Sequence, residues 1–249
     1  MFPFRDHNPS GRVPYVTYAL IIMNCGIFLS YWGDMDNARV MSYIYGTYAV
    51  IPAYVTDGNG YLSLVTSMFL HAGFMHLAGN MLFLHIFGDN LEDEMGHVGF
   101  LLFYLASGIA AALVQVAFDP TSQIPMVGAS GAIAGVMGGY LLLYPRAKVD
   151  VILILIIFFK IFSLSAWIVL GVWFALQVFG GLGTPSASGG VAYWAHIGGF
   201  VAGFALCLPV WSKRGGRGYW DQTHGHPPHP EAQYAFERTT IPKIRRPRQ

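Results

Sequence analysis

Acidic side chains are missing from every long apolar stretch of this chain, and charge of either sign is scarce throughout. Charged residues make up 11% of its 249 positions, against about 25% in a soluble domain. With 54% hydrophobic residues and a mean hydropathy of +0.47, that scarcity excludes a soluble globular protein and implies one that sits in a membrane. Cysteine is nearly absent too. Cys25 and Cys207 lie in different apolar stretches and form no CxxC pair, which excludes a disulfide framework or a cysteine zinc site. No cofactor and no nucleic-acid partner are expected. A metal site built from His71, His76 and His85 is disfavoured, because their spacings put them on different helical faces and no acidic ligand accompanies them. Glycine, by contrast, is plentiful at 30 residues, and in membranes it lets helix backbones approach closely.

The apolar stretches read as six spans, at residues 13–32, 73–87, 97–118, 130–144, 164–182 and 191–211. The expected fold is an all-α integral membrane bundle of six transmembrane helices occupying residues 13–211. A short cytoplasmic segment, 1–12, precedes it, and a basic, Pro-rich, mostly disordered cytoplasmic tail, 212–249, follows. The second and fourth spans are short for a hydrocarbon layer of about 30 Å. Residues 149–159 are rich in β-branched and aromatic side chains, and pattern alone leaves them helical or extended. In the six-span arrangement Arg5, Arg12, Arg146, Lys148, Lys213, Arg214 and Arg217 share one side, and Arg39 lies on the other. That asymmetry puts both termini in the cytoplasm. No typical cleavable signal opens the chain, and with the basic tail this suits a bacterial inner membrane. His224, His226 and His229 read as part of the solvated tail.

Three polar groups then fall at one depth. The second, fourth and sixth spans all run from outside to inside. His76 lies near the start of the second, Ser130 opens the fourth, and His196 is about five residues into the sixth, roughly 8 Å below its outer end. The fourth span carries Gly131, Gly135 and Gly139, and the sixth carries Gly199 and Gly203. If these stripes pack together, Ser130 meets His196. A hydroxyl beside an imidazole is the minimum set for acyl transfer. Asn80, four residues after His76, shares its face. Both side chains can donate hydrogen bonds, as can the Ser130 backbone N–H at a helix start, so the three could stabilise an oxyanion. Gly128 relieves the tight turn before Ser130. With no carboxylate in any span, a Ser–His dyad is the more economical reading than a triad.

These residues resemble a known family. Gly128-Ala129-Ser130-Gly131 is similar to the GxSG motif of rhomboid intramembrane serine proteases. Residues 195–203, AHIGGFVAG, resemble the family's AHxxGxxxG, and residues 76–80, HLAGN, its HxxxN. The likeness covers roughly residues 10–212. It implies that Ser130 is the nucleophile and His196 the base and then the acid, with His76, Asn80 and the Ser130 N–H as the oxyanion hole. It implies substrates that are transmembrane segments of single-span proteins, entering from the lipid bilayer near the second and fifth spans, with Trp173 a candidate gate. Oligomeric state is not implied. Two family features differ: Leu62-Ser63 stands where many members have Trp-Arg, and Ala134 stands where some have a tyrosine stacked on the histidine. A catalytically inactive retention factor is the alternative, though a pure binder needs neither Ser130 nor His196. A small transporter would need ionisable groups or broken helices near the midplane.

Overall fold

Every apolar stretch forms a helix except the ambiguous one. The computed structural model describes residues 2–155, 158–184 and 190–234. In chain order the elements are β1 (Phe2–Asp6), α1 (Tyr15–Tyr31), α2 (Ala38–Tyr48), α3 (Pro52–Thr56), α4 (Ser63–Thr66), α5 (Phe74–Phe118), α6 (Ser130–Leu143), β2 (Lys148–Leu155), β3 (Phe158–Ser165), α7 (Ala166–Gly183), α8 (Tyr193–Lys213) and α9 (Arg217–Thr223). Four of the helices, Tyr15–Asp34, Phe74–Phe118, Ala166–Gly183 and Tyr193–Lys213, are long and apolar enough to cross a membrane. The 14-residue α6 is shorter.

The 45-residue α5 is two helices joined at Gly96, whose φ of 71° and ψ of 165° break the helical path. Glycine adopts such a φ without steric penalty. The two arms fold back on each other. Phe118 at the far end of α5 stacks on Trp194 at the start of α8 with ring centroids 3.8 Å apart. Near the bend, Glu94 pairs with Arg214 at the end of α8, Oε2 to Nη2 being 2.5 Å. The bend also caps α1. Glu92 accepts the Val16 N–H at 2.8 Å, the Thr17 N–H at 2.7 Å and the Thr17 hydroxyl at 2.7 Å. These are donors that a helix start leaves unpaired. His97 Nδ1 also meets the carboxylate of Glu92 at 2.5 Å.

At the bundle centre, α6 packs on α8 through glycine. A Cβ at Gly199 would lie 2.0 Å from the Gly131 carbonyl oxygen, and one at Gly203 would lie 2.1 Å from that of Gly135. The two stripes read from the sequence therefore face each other, with backbone touching backbone. Around them Leu84, Phe87, Leu91, Phe100, Tyr104 and Tyr140 fill a fully buried core.

Two expectations change. The fold is mostly helical, but it is not all-α. Residues 148–155 and 158–165 form an antiparallel hairpin, and β1 from the N-terminal segment pairs with its first strand, giving the order β1-β2-β3. The β-branched run settles as strand because β1 supplies a partner 143 to 150 residues away in sequence, which local pattern cannot reveal. Asp150 ties the three strands together. It accepts from Arg5 Nε at 2.6 Å, meets His7 Nε2 at 2.9 Å and accepts from the Ser163 hydroxyl. The tail differs as well. Over residues 212–234 it includes α9 and then runs back beneath the sheet end of the bundle. Trp220 Nε1 donates to the Leu142 carbonyl at 3.0 Å, Ala232 N donates to the His7 carbonyl at 2.9 Å, and the Arg5 guanidinium lies 3.9 Å from the Tyr234 ring centroid. Aromatic and backbone contacts, rather than composition, order this part. Lys243, Arg245, Arg246 and Arg248 lie outside the described residues.

Candidate active site

Ser130 is the first residue of α6, and Gly128 shapes the turn that delivers it. Gly128 has a φ of 128°, a region that disfavours any residue with a Cβ. Its N–H donates to the Ser67 carbonyl at 2.9 Å. The loop before it is fastened to the segment after α2 by the pair Val50 and Met126, whose N–H groups donate to each other's carbonyls at 3.1 and 2.7 Å. The serine is thus placed by a braced loop at one end and by the glycine seam of α6 and α8 at the other.

That seam brings His196, in the first turn of α8, alongside. His196 Nε2 lies 2.8 Å from Ser130 Oγ, a normal length for a hydrogen bond donated by the hydroxyl. The other ring nitrogen, Nδ1, lies 2.8 Å from Gln177 Oε1 on α7. The Trp173 ring, also on α7, sits over the imidazole with centroids 5.8 Å apart and planes 34° from parallel. Ala134, where a stacked tyrosine was missing from the motif, is buried, and the aromatic beside the histidine comes from α7 instead of α6.

His76 and Asn80 rise from α5 on the other side of Ser130. A Cβ added to Gly128 would fall 2.8 Å from His76 Nε2 and 3.5 Å from Ser130 Oγ. The missing side chain therefore leaves a small space that both groups border. The Ala72 N–H donates to His76 Nδ1 at 3.3 Å. With that nitrogen accepting, the proton of a neutral ring resides on Nε2 and points toward the space. Asn80 is 7% exposed, and its Nδ2 has no hydrogen-bond partner among the described residues. Both side chains are thus in position to donate to a newcomer. A cavity of about 700 Å³ opens over the group and is lined by His76, Asn80, Gly128, Ser130, Trp173 and His196, among others.

Two polar residues here were not expected at this site from the sequence. Gln177 has no motif around it, but it is the sole amide in 166–183, and a polar side chain in a span is itself a signal. His71, named above only in the disfavoured metal set, is fully buried against His76, with ring centroids 5.1 Å apart. His85 does face elsewhere, stacking on Tyr18 at 6.5 Å. Gly131 and Gly199 lie against each other directly behind the Ser130–His196 pair, and Gly203 continues the seam against Gly135.

Comparison with known proteins agrees with the motifs. The model of the Rhomboid domain matches residues 58–213. The mitochondrial Rhomboid protein 1 of Saccharomyces cerevisiae is 30% identical over 192 residues, 76% of this chain and 51% of that protein. Two Bacillus subtilis proteins match over 78 residues, 31% of this chain. The putative rhomboid protease YdcA is 42% identical over 39% of its length, and the rhomboid protease GluP is 44% identical over 15% of its length. The chain spans about half or less of the length of these relatives. Mitochondrial and bacterial proteins both appear among them, so likeness by itself selects no one membrane.

Proposed function

The chain belongs to the rhomboid family, and from that membership we propose that it is an intramembrane serine endopeptidase that cuts transmembrane segments of single-span proteins through Ser130 and His196. The observation that carries this reading is the 2.8 Å contact between Ser130 Oγ and His196 Nε2 at a helix start beside an open cavity. As Ser130 Oγ attacks the scissile carbonyl carbon, its proton passes to His196 Nε2. The carbonyl oxygen becomes an oxyanion and takes hydrogen bonds from the Ser130 N–H, His76 Nε2 and Asn80 Nδ2. His196 then returns the proton to the leaving amine, and the C–N bond breaks. A water molecule, deprotonated by the same nitrogen, hydrolyses the acyl-enzyme.

In this reading the six membrane passes are α1, the two arms of α5, then α6, α7 and α8, with the sheet and both termini on the cytoplasmic side. The 14 residues of α6 rise about 21 Å, short of the roughly 30 Å core, so Ser130 lies below the outer surface. The substrate enters past α7. That helix buries only Ala166, Leu170 and Gln177, which supports its role as the movable wall, with Trp173 as the gate.

The test uses purified protein in detergent with a model transmembrane substrate, comparing wild type with Ser130→Ala and His196→Ala. Both variants should lose cleavage while keeping their helical content. Cleavage that persists in both would refute the assignment.

A further inference from the structure

A general base must present an unprotonated nitrogen to its nucleophile, and an imidazole in a membrane has two to choose from. In a soluble triad a carboxylate makes that choice. No acid lies within the six apolar stretches read as spans, the acids of α5 falling at residues 89–94 beside its bend, and a charged side chain deeper in the membrane would be costly. The fold supplies a neutral acceptor instead. Gln177 Oε1 is 2.8 Å from His196 Nδ1.

The orientation of that amide is fixed by its own second bond. Gln177 Nε2 donates to the Trp173 carbonyl one helical turn back, at 3.2 Å. With the NH₂ end tied to a carbonyl that can only accept, the oxygen end must face the histidine. An oxygen facing Nδ1 accepts its N–H, so the neutral ring is left with Nε2 bare, and Nε2 is the atom 2.8 Å from Ser130 Oγ. Gln177 is also 9% exposed in a helix that otherwise shows most of its surface. An amide buried there without a partner would be unfavourable, and the histidine is its partner.

We propose that Gln177 is a positioning residue: its side-chain oxygen accepts the Nδ1 proton of His196 and so selects the tautomer and ring orientation that make Nε2 the base for Ser130. This rests on the protease reading above. The same bond stabilises the imidazolium formed after proton transfer, since Nδ1 remains a donor throughout. It also links the histidine to α7, so withdrawing α7 from α8 would release the ring.

Three variants separate this role from packing. Gln177→Met keeps length and bulk but offers no comparable acceptor. It should lower kcat roughly tenfold, the scale of one lost hydrogen bond, with KM little changed. Labelling of Ser130 by a fluorophosphonate should slow by a similar factor. Gln177→Glu retains an acceptor and should recover most of the rate. Its carboxylate favours the charged ring, so the acidic limb of the kcat profile should move to higher pH. The groups facing the imidazole are Ser130 from α6, Gln177 and Trp173 from α7 and His76 from α5, so His76→Gln is run in parallel to assign the limb. If Gln177→Met matches wild type in both kcat and labelling while Ser130→Ala is inactive, Gln177 is packing alone and the proposal falls. A Gln177→Glu enzyme as slow as Gln177→Met, with an unmoved limb, would also overturn it. A wild type that neither cuts nor labels removes the protease reading, and this role with it.

Discussion

Replacing Gly199 with alanine asks whether the Ser130–His196 contact depends on bare backbone between α6 and α8. The new Cβ would lie 2.0 Å from the Gly131 carbonyl oxygen, 2.9 Å from its carbon and 3.3 Å from Ala111 Cβ. Carbon and oxygen come into ordinary contact at about 3.3 Å, so the two helices must part by roughly 1.3 Å there. The obstructing atom is backbone within a helix and cannot rotate aside. Gly131 directly follows Ser130, and Gly199 is one turn from His196, so the separation acts along the direction the hydrogen bond bridges. A bond of 2.8 Å would stretch to about 4 Å, beyond any useful length. Loss of a positioned base costs on the order of 10²-fold in rate, and overpacking a tight interface costs about 1–3 kcal/mol. The assay is cleavage of a transmembrane substrate alongside denaturant unfolding in the same micelles. Gly171→Ala on α7 is the control, because its Cβ would meet nothing within 4 Å. Gly199→Ala within twofold of wild-type activity, or no less stable than Gly171→Ala, would refute the reasoning.

Asn80→Ala should lower kcat by as much as about 10²-fold, less if His76 compensates, and leave KM nearly unchanged; a normal kcat with a raised KM would place Asn80 in substrate binding instead. Asp6 in β1 is pushed up from 3.8 to about 8, first by burial and then by the neighbouring Asp89, while Tyr140 donates to it at 2.7 Å. Because the folded state holds this proton more tightly than the unfolded chain, the contribution to stability is complete below pH 3.8 and is lost as pH rises toward 8. Asp6→Asn should therefore flatten the decline in stability between pH 5 and pH 8, measured by unfolding in micelles across that range; an unchanged slope would exclude Asp6 as its source.

Much of the site was legible because motif and topology constrain each other. The two glycine stripes at 131/135 and 199/203 predicted which helix faces touch, since only small residues permit backbone contact in a membrane. The expectation that both helices start on the same side of the bundle then put Ser130 and His196 at one level. The pair His76 and Asn80 followed from a spacing of four on one helix. Gln177 was not legible as part of this group, because nothing in the spacing of α7 says which way it turns toward α8. The missing tyrosine at Ala134 did not reveal that Trp173 would take the place beside the ring, since that neighbour comes from another helix.

The sequence by itself determined the membrane class, the positions of the apolar helices and the residue types at the candidate site, because hydropathy, helical period and glycine spacing are local properties. The sheet, the docked tail through Tyr234 and the second partner of His196 were decided only by tertiary structure. Each depends on pairs far apart in the chain: Phe2 with Ile152, His7 with Ala232, Gln177 with His196. A strand needs a neighbour and an imidazole needs an acceptor, and local sequence does not specify which distant residue will fill the place.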